Sequence, residues 1–377
     1  MNILIVSGFL PYPDFFGGAI DVWERIKGLV QLGHQVDLIA TDKQQPTKQH
    51  LETIHQWVQN FYFVQRKNKA HQVLNKLPLQ LMSRKALETV EVNQSYDLVI
   101  LESEFCWAIT ENKTVAYKQL VIRVHNDEHF YFKMLGKSAK TLKEKIYYQI
   151  EISKIKRLSH QVFEEADRLW FISQDDLKGS DFKSKSVFLP FPVNQDFIFP
   201  TEKPGNNVVF MGALFMPNNT FGLDWYLENV HPRLIEQLPD YHFYIVGSLK
   251  ENNVSLKKKY HKITGVSLII NAECLDTYYQ KSQVFINPMF HGSGVKVKSI
   301  NALVNGLPLV STSVGAEGIG LTDEMYYPAQ TADDFVDQIT TVFSNKKQAI
   351  EKTKKAQEYL KRNNYLDVLK KELDAFQ

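Results

Sequence analysis

Short apolar runs rich in β-branched residues alternate with helix-patterned segments along this chain, and they do so in two blocks. In the first block Asn2–Ser7, Gln35–Ala40, Leu98–Glu102, Leu120–Val124, Leu169–Ile172 and Ser186–Leu189 read as strands, and Ala19–Leu32 reads as a helix stopped by Gly33. Runs that are apolar throughout, rather than alternating, belong in parallel sheets covered by helices on both faces. The stretch from Phe191 to Gly205 carries several prolines and no periodic pattern, which marks a linker. The alternation then restarts, with strands at Asn207–Met211, Tyr241–Val246, Val284–Asn287 and Leu309–Ser311 and helices at Leu223–Ile235 and Lys298–Asn305. The expected fold is α/β, with two Rossmann-like domains over 1–195 and 205–361. At 377 residues the chain suits two cores better than one. Two such sheets facing each other would leave a central cleft at their strand C-terminal ends, where ligands bind.

Two further helical patterns stand out. Ser138–Asp167 predicts one long amphipathic helix, with Leu142, Ile146 and Ile150 four residues apart and Lys143, Lys145, Lys154 and Lys156 interleaved. Lys354–Gln377 predicts another, with Leu360, Leu366, Leu369, Leu373 and Phe376 as an apolar stripe. The charges nearly cancel, 44 basic against 42 acidic, so nucleic acid is not an expected partner. Cys106 and Cys274 lack metal-ligand spacing and suit reduced thiols. The first apolar run is short and has no basic residue before it, so it reads as a strand rather than a signal peptide. No run approaches the ~18–20 apolar residues of a membrane span. The expectation is a cytoplasmic protein.

The loop after the first strand, Ser7-Gly8-Phe9-Leu10-Pro11-Tyr12-Pro13, lacks GxGxxG, and no GxxxxGK[ST] occurs. No Asp-x-Asp occurs either, so no carboxylate pair of that kind is available for a metal-bound diphosphate, and no metal is expected. Gly17-Gly18 precedes a helix and reads either as a simple turn or as a loop whose amides approach a ligand. Pro288-Met-Phe-His-Gly-Ser-Gly-Val-Lys-Val-Lys298 is the most informative stretch. Gly292, Ser293, Gly294 and Val295 form a loop before a helix, where backbone amides can approach a phosphate, with Lys296 and Lys298 as cationic donors beside it. His125 ends a strand, where it could bond a substrate, act as acid or base, or simply pack. His125 and His129 also have a spacing that two metal ligands on a helix would show, with no third ligand in view. Glu102-Ser103-Glu104 ends another strand, and its carboxylates read either as a solvated pair or as acceptor contacts or a base.

The motifs Gly-Ser-Gly-Val-Lys-Val-Lys, Ala-Leu-Val-Asn-Gly-Leu-Pro-Leu-Val and Val-Gly-Ala-Glu-Gly resemble the donor-site signature of GT-B glycosyltransferases of the family-four type. Phe210-Met-Gly-Ala-Leu214 with Pro217-Asn218-Asn219, Tyr244-Ile-Val-Gly247 and Phe171-Ile-Ser173 are similar to other family segments. The resemblance implies transfer of a sugar, with retention, from a UDP- or GDP-sugar to a hydroxyl of a glycan or lipid-linked acceptor. The nucleotide sugar would be a co-substrate, and no cofactor is implied. Donor contacts would come from Gly17, Gly18, Gly212, Gly292, Ser293, Gly294, Val295, Lys296, Lys298 and Asn301, and catalytic contacts from His125 and Glu104. The C-terminal helix, about 362–377, would pack back on the first domain. Lipid-linked acceptors would give the basic stretches Lys137–Lys145 and Lys154–Arg157 a membrane surface to meet; a solvated helix face is the other reading. The family usually carries two glutamates eight positions apart, the second binding the ribose, where this chain has Ser293 and Asn301. That departure keeps open a non-catalytic GT-B-shaped binding protein or a same-fold sugar-nucleotide epimerase.

Overall fold

A computed structural model describes all residues except 15, 68–69, 140, 194, 250–253 and 377. The chain divides into two compact units, Met1–Asn194 with Asn364–Gln377, and Gln195–Asn363. Unit 1 holds β1 (Asn2–Ser7), β2 (Gln35–Asp42), β3 (Phe61–Gln65), β4 (Gln94–Leu101), β5 (Val115–Val124), β6 (Arg168–Phe171) and β7 (Ser186–Phe188). Their order is β3-β2-β1-β4-β5-β6-β7, with neighbouring strands parallel. Unit 2 holds β8 (Asn206–Ala213), β9 (Tyr241–Ser248), β10 (Val266–Ile270), β11 (Val284–Asn287), β12 (Leu309–Ser311) and β13 (Tyr327–Pro328). These are again parallel, in the order β10-β9-β8-β11-β12-β13. Each unit is thus a parallel α/β layer, as the alternation implies. β3, β10 and β13, which the sequence pattern does not reveal, are all edge strands. Edge strands gain less from apolar side chains because only part of their surface is covered.

Ile3, Leu4, Ile5 and Val6 are all fully buried because helices cover both faces of the first sheet. Ile3 and Ile5 face Val22, Ile26 and Leu29 of the Gly17–Gln31 helix, while Leu4 and Val6 join the cluster of Ile155, Leu158 and Val162 from the Leu142–Glu165 helix. The long helix expected over Ser138–Asp167 is a single helix, Leu142–Glu165, started by a capping box of Thr141 and Glu144 and preceded by a separate helix, Glu128–Ser138. Two other expected helices are each broken in two. Leu223–Ile235 splits into Pro217–Asn229 and His231–Gln237, where Pro232 opens the second piece. Lys354–Gln377 splits into Lys346–Arg362 and Tyr365–Asp374, with Asn364 capping the latter through its side chain.

The Tyr365–Asp374 helix lies in the core of unit 1. Tyr365, Leu369 and Leu373 are buried beside Ile3, Val22 and Trp170. Glu372 accepts from the Trp170 indole at 3.0 Å and from Arg168 at 3.2 Å. Leu369→Ala should therefore cost about 2–5 kcal/mol, the range for emptying a buried leucine site. Denaturant melts would show it as a lower midpoint with an unchanged slope; an unaltered midpoint would mean that this helix contributes nothing to the core.

Candidate active site

β11 ends at Asn287, and the chain then turns through Gly292 and Gly294 into the Val297–Val304 helix. Both glycines are left-handed, with φ of 128° and 76°, conformations that side-chain-bearing residues rarely adopt. A Cβ at Gly292 would also press on Met289 and on the Asn218 amide, at 3.2 and 3.3 Å. Gly222 lets the Pro217–Asn229 helix lie directly against the loop, since a Cβ there would collide with the Pro288 carbonyl. Asn287 is fully buried and ties the parts together: its amide donates to Ser299 Oγ and to the Gly315 carbonyl, both at 2.9 Å. Ser299 Oγ donates to the same carbonyl at 2.7 Å. Thr312 adds a second tie, donating to the Met289 carbonyl and accepting from the Gly315 amide at 3.0 Å. The helix start has no side-chain cap and no acidic residue in its first turn, so its partial positive charge is not offset there.

The two lysines differ. Lys296 is nearly fully buried, donates to the Gly294 carbonyl and pairs with Glu317 at 3.1 Å, so it braces the loop. Lys298 donates to Asn219 Oδ1 at 2.5 Å and sits 4.7 Å above the Phe210 ring. Asn219 is itself fixed by donating to the Ala213 carbonyl at 2.9 Å, and Gly212 leaves the space for it. Lys298 has no carboxylate within ion-pair distance among the described residues. Burial, and then repulsion from Lys296, pushes its pKa down to about 7. Ser293 and Val295 are half-buried in the loop, and Asn301 is half-buried on the helix, three residues beyond Lys298.

In unit 1 the strand ends enclose a buried ionic network. Arg123 on β5 donates to both Asp21 oxygens, at 2.9 and 2.7 Å, and to the Leu189 carbonyl at 2.5 Å. Arg25, one turn beyond Asp21, donates to Asp21, to Glu102 at 2.6 Å and to the Tyr365 hydroxyl at 3.3 Å. His125 Nε2 lies 3.1 Å from Glu102 Oε2, and its Nδ1 lies 3.7 Å from Asp21. Burial opposes the Asp21 charge, but Arg123 and Arg25 outweigh it and hold the carboxyl well below its usual range. Glu102 is likewise held low, by Arg25 and then His125 acting against burial. The ligand atoms of Asp21, Glu102 and His125 lie within 4.8 Å of one another, a spacing that could cradle a metal. Both carboxylates are instead bonded to guanidinium groups, which supply the positive charge at that place.

Several expectations change here. Gly17 and Gly18 are the first two residues of their helix, which has no side-chain cap, rather than a loop before it. His125 precedes the helix that contains His129, so the two rings do not share a helix face. Glu102 and Glu104 are both buried, not a solvated pair. Glu104 accepts from Ser159 Oγ at 2.9 Å and from Ser103 Oγ at 3.3 Å, and it is Glu102 that meets His125. Asp21, Arg25 and Arg123 were missed, although each is a charge set inside an otherwise apolar pattern.

Glu128 opens the helix after His125. Burial, and then the Glu104 carboxylate, pushes its pKa up to about 8. A folded-state pKa above the unfolded value means that the native state holds the extra proton, so stability falls as pH rises from about 4.5 towards 8. Glu128→Gln removes that loss. The melting temperature of the variant should gain on that of the parent between pH 5 and pH 8; parallel curves would show that Glu128 titrates normally.

Residues 205–345 match the family described as Glycosyl transferases group 1. An uncharacterized 44.6 kDa protein in the cps region of Klebsiella pneumoniae is 40% identical over 335 residues, 85% of this chain and 84% of that protein. A Staphylococcus aureus TarM variant, solved with Fondaparinux, alpha-GlcNAc-glycerol and UDP, aligns over the full length of both chains with a TM-score of 0.67 at 11% identity. Anabaena HepE with UDP-glucose aligns over all of this chain and 99% of its own, with a TM-score of 0.62 at 12% identity. The glycine loop, the matched family and the shared two-domain fold agree: the chain belongs to the group 1 glycosyl transferases and has their GT-B architecture of two Rossmann-like domains.

Proposed function

We propose that this protein transfers a sugar, with retention and without a metal, from a UDP- or GDP-sugar to a hydroxyl of a glycan or lipid-linked acceptor in surface polysaccharide or glycoconjugate synthesis. The observation that carries this reading is Lys298, a half-buried lysine with no carboxylate partner among the described residues, on the first turn of an uncapped helix beside a left-handed glycine loop. Such a place favours an anion, and a diphosphate supplies one. As the sugar leaves, charge grows on the diphosphate, and Lys298, the loop amides and the helix start would stabilise it. Asn301 would meet the ribose hydroxyls. Unit 1 would take the acceptor at its strand ends, with His125, held by Glu102, as the substrate contact. UDP in the TarM structure and UDP-glucose in the HepE structure support this donor class, and the cps-region relative supports the pathway.

Calorimetry with UDP and GDP tests the donor site. A diphosphate would raise the Lys298 pKa from about 7, so binding at pH 7.5 should take up a proton, seen as a heat that varies with the buffer. Lys298→Ala should abolish the uptake and weaken binding roughly ten- to a hundred-fold. Unchanged affinity in that variant would refute the assignment. Transfer from a panel of nucleotide sugars should persist in EDTA. Tight binding with no transfer or donor hydrolysis would instead favour the non-catalytic reading, to which Ser293 and Asn301 lend weight as replacements for the usual glutamates.

No helix among the described residues is long and apolar enough to cross a membrane. The Leu142–Glu165 helix instead exposes Leu142, Ile146 and Ile150, at 73, 52 and 41%. Residues four apart advance about 40° around a helix, so the three form one stripe. Exposed Lys143 and Lys145 flank it, and exposed Lys133 and Lys137 lie on the preceding helix. An apolar stripe edged by lysines suits the surface of an anionic bilayer. The protein should co-sediment with vesicles containing phosphatidylglycerol but not with pure phosphatidylcholine vesicles. Ile146→Glu should release it; binding that ignores this change would exclude the stripe.

A further inference from the structure

At the C-terminal edge of the first sheet, two arginines have no ion-pair partner among the described residues. Arg84 is 6% exposed. Its guanidinium donates to the Gly8 carbonyl at 2.8 and 3.3 Å and to the Gln80 carbonyl at 2.7 Å, with longer contacts to Gln80 Oε1 and Ser83 Oγ. None of these partners is charged. Arg66 follows β3, and its side chain has no hydrogen bond or ion pair among the described residues; its Nε is buried with no partner. The two are neighbours: the Lys67 amide donates to the Ser83 carbonyl at 3.3 Å, joining the segments that carry them.

The nearby acids do not pair with them. Asp21 and Glu102 are bound to Arg25 and Arg123. Asp42 accepts from the Leu10 and Lys43 amides. Burial raises the pKa of Glu104, and that of Glu128 to about 8, so near neutrality Glu128 is largely a neutral carboxyl able to donate a hydrogen bond. Arg84 is lowered to about 10, chiefly by burial, and stays charged. Protein folds rarely leave a buried guanidinium facing only neutral acceptors, because its desolvation is then poorly offset. In a parallel sheet the strand C-terminal edge is where ligands sit.

We infer that Arg66 and Arg84 form an oxyanion subsite at the β1 and β3 ends of unit 1, which takes a phosphate or carboxylate group carried by the acceptor. A guanidinium pair suits such a group because its planar donors bond two oxygens at once. The inference rests on the reading of unit 1 as the acceptor side and narrows the acceptor to an anionic one.

The test uses the full chain labelled with [15N]arginine, in a Lys298→Ala background that disables the proposed diphosphate contact in unit 2. Inorganic phosphate and glucuronate are titrated separately at constant ionic strength. The Arg66 and Arg84 Nε–H resonances should shift saturably with phosphate if the acceptor group is a phosphate, or with glucuronate if it is a carboxylate. Resonances that stay fixed in both, or that respond equally to chloride, would overturn the subsite. Arg84 also holds Gly8, so its removal could unfold the protein; Arg66→Gln is the cleaner variant. It should weaken the anion response at Arg84 about tenfold or more while leaving the melting temperature and UDP affinity as they were. An unweakened response at Arg84 would overturn the pairing. Because UDP affinity is read separately, in chains that keep Lys298 with and without Arg66→Gln, a failed donor assignment and a failed acceptor subsite give different results.

Discussion

Asp21 carries its negative charge where no water reaches it, and the first unit is arranged around making that tolerable. Two guanidinium groups do so, one from its own helix and one from β5. Each is used again: Arg123 reaches carbonyls of the segment after β7, and Arg25 reaches Glu102 and the Tyr365 hydroxyl. The sheet, its first helix, the chain's final helix and His125 therefore meet in one set of charged hydrogen bonds. Taken whole, such a network adds little net stability, since desolvation cancels most of the attraction. Losing one member leaves a buried charge uncompensated and costs several kcal/mol, about 3–5 in measured cases. Its contribution is geometric: His125 has one setting because its neighbours have one setting.

Unit 2 solves a different problem. Its glycine loop has to keep a conformation that side chains would forbid, next to a second loop of the same kind, and the molecule uses short buried polar residues as rivets. Asn287, Ser299 and Thr312 each bond across from one segment to the other. Lys296 belongs to this framework, whereas Lys298 stands outside it, held by Asn219 and an aromatic face. Two lysines that look equivalent two positions apart have thus been given different work.

The sequence announces central strands more clearly than edges. β1, β4, β5, β8 and β11 are covered on both faces and read as apolar runs; of the four edge strands β7 is read, while β3, β10 and β13, each with one side open, are not. Helix breaks were hidden because periodicity continues across them; the Asn363-Asn364 pair interrupts the backbone without interrupting the apolar spacing. In the site, glycines and lysines could be read from local spacing because the glycine loop is one continuous segment. The ionic network could not: Asp21, Glu102 and Arg123 are far apart in sequence and become neighbours only through strand order. Glu104 was misplaced for the same reason, since only the packing of the Leu142–Glu165 helix puts Ser159 over it and shuts out water.

The solitary charge of Lys298 also bears on how this protein could change over time. A half-buried cation with no carboxylate partner among the described residues is a standing cost to the fold, which an anion bound as proposed would relieve. An uncharged chain of similar length, such as methionine, would suit the fold by itself better and a bound anion worse. Selection for stability and selection for function therefore pull this one position in opposite directions. A lineage that had lost its need for the ligand would be expected to discard this lysine well before the rivets around Asn287, which the fold needs whether or not anything binds.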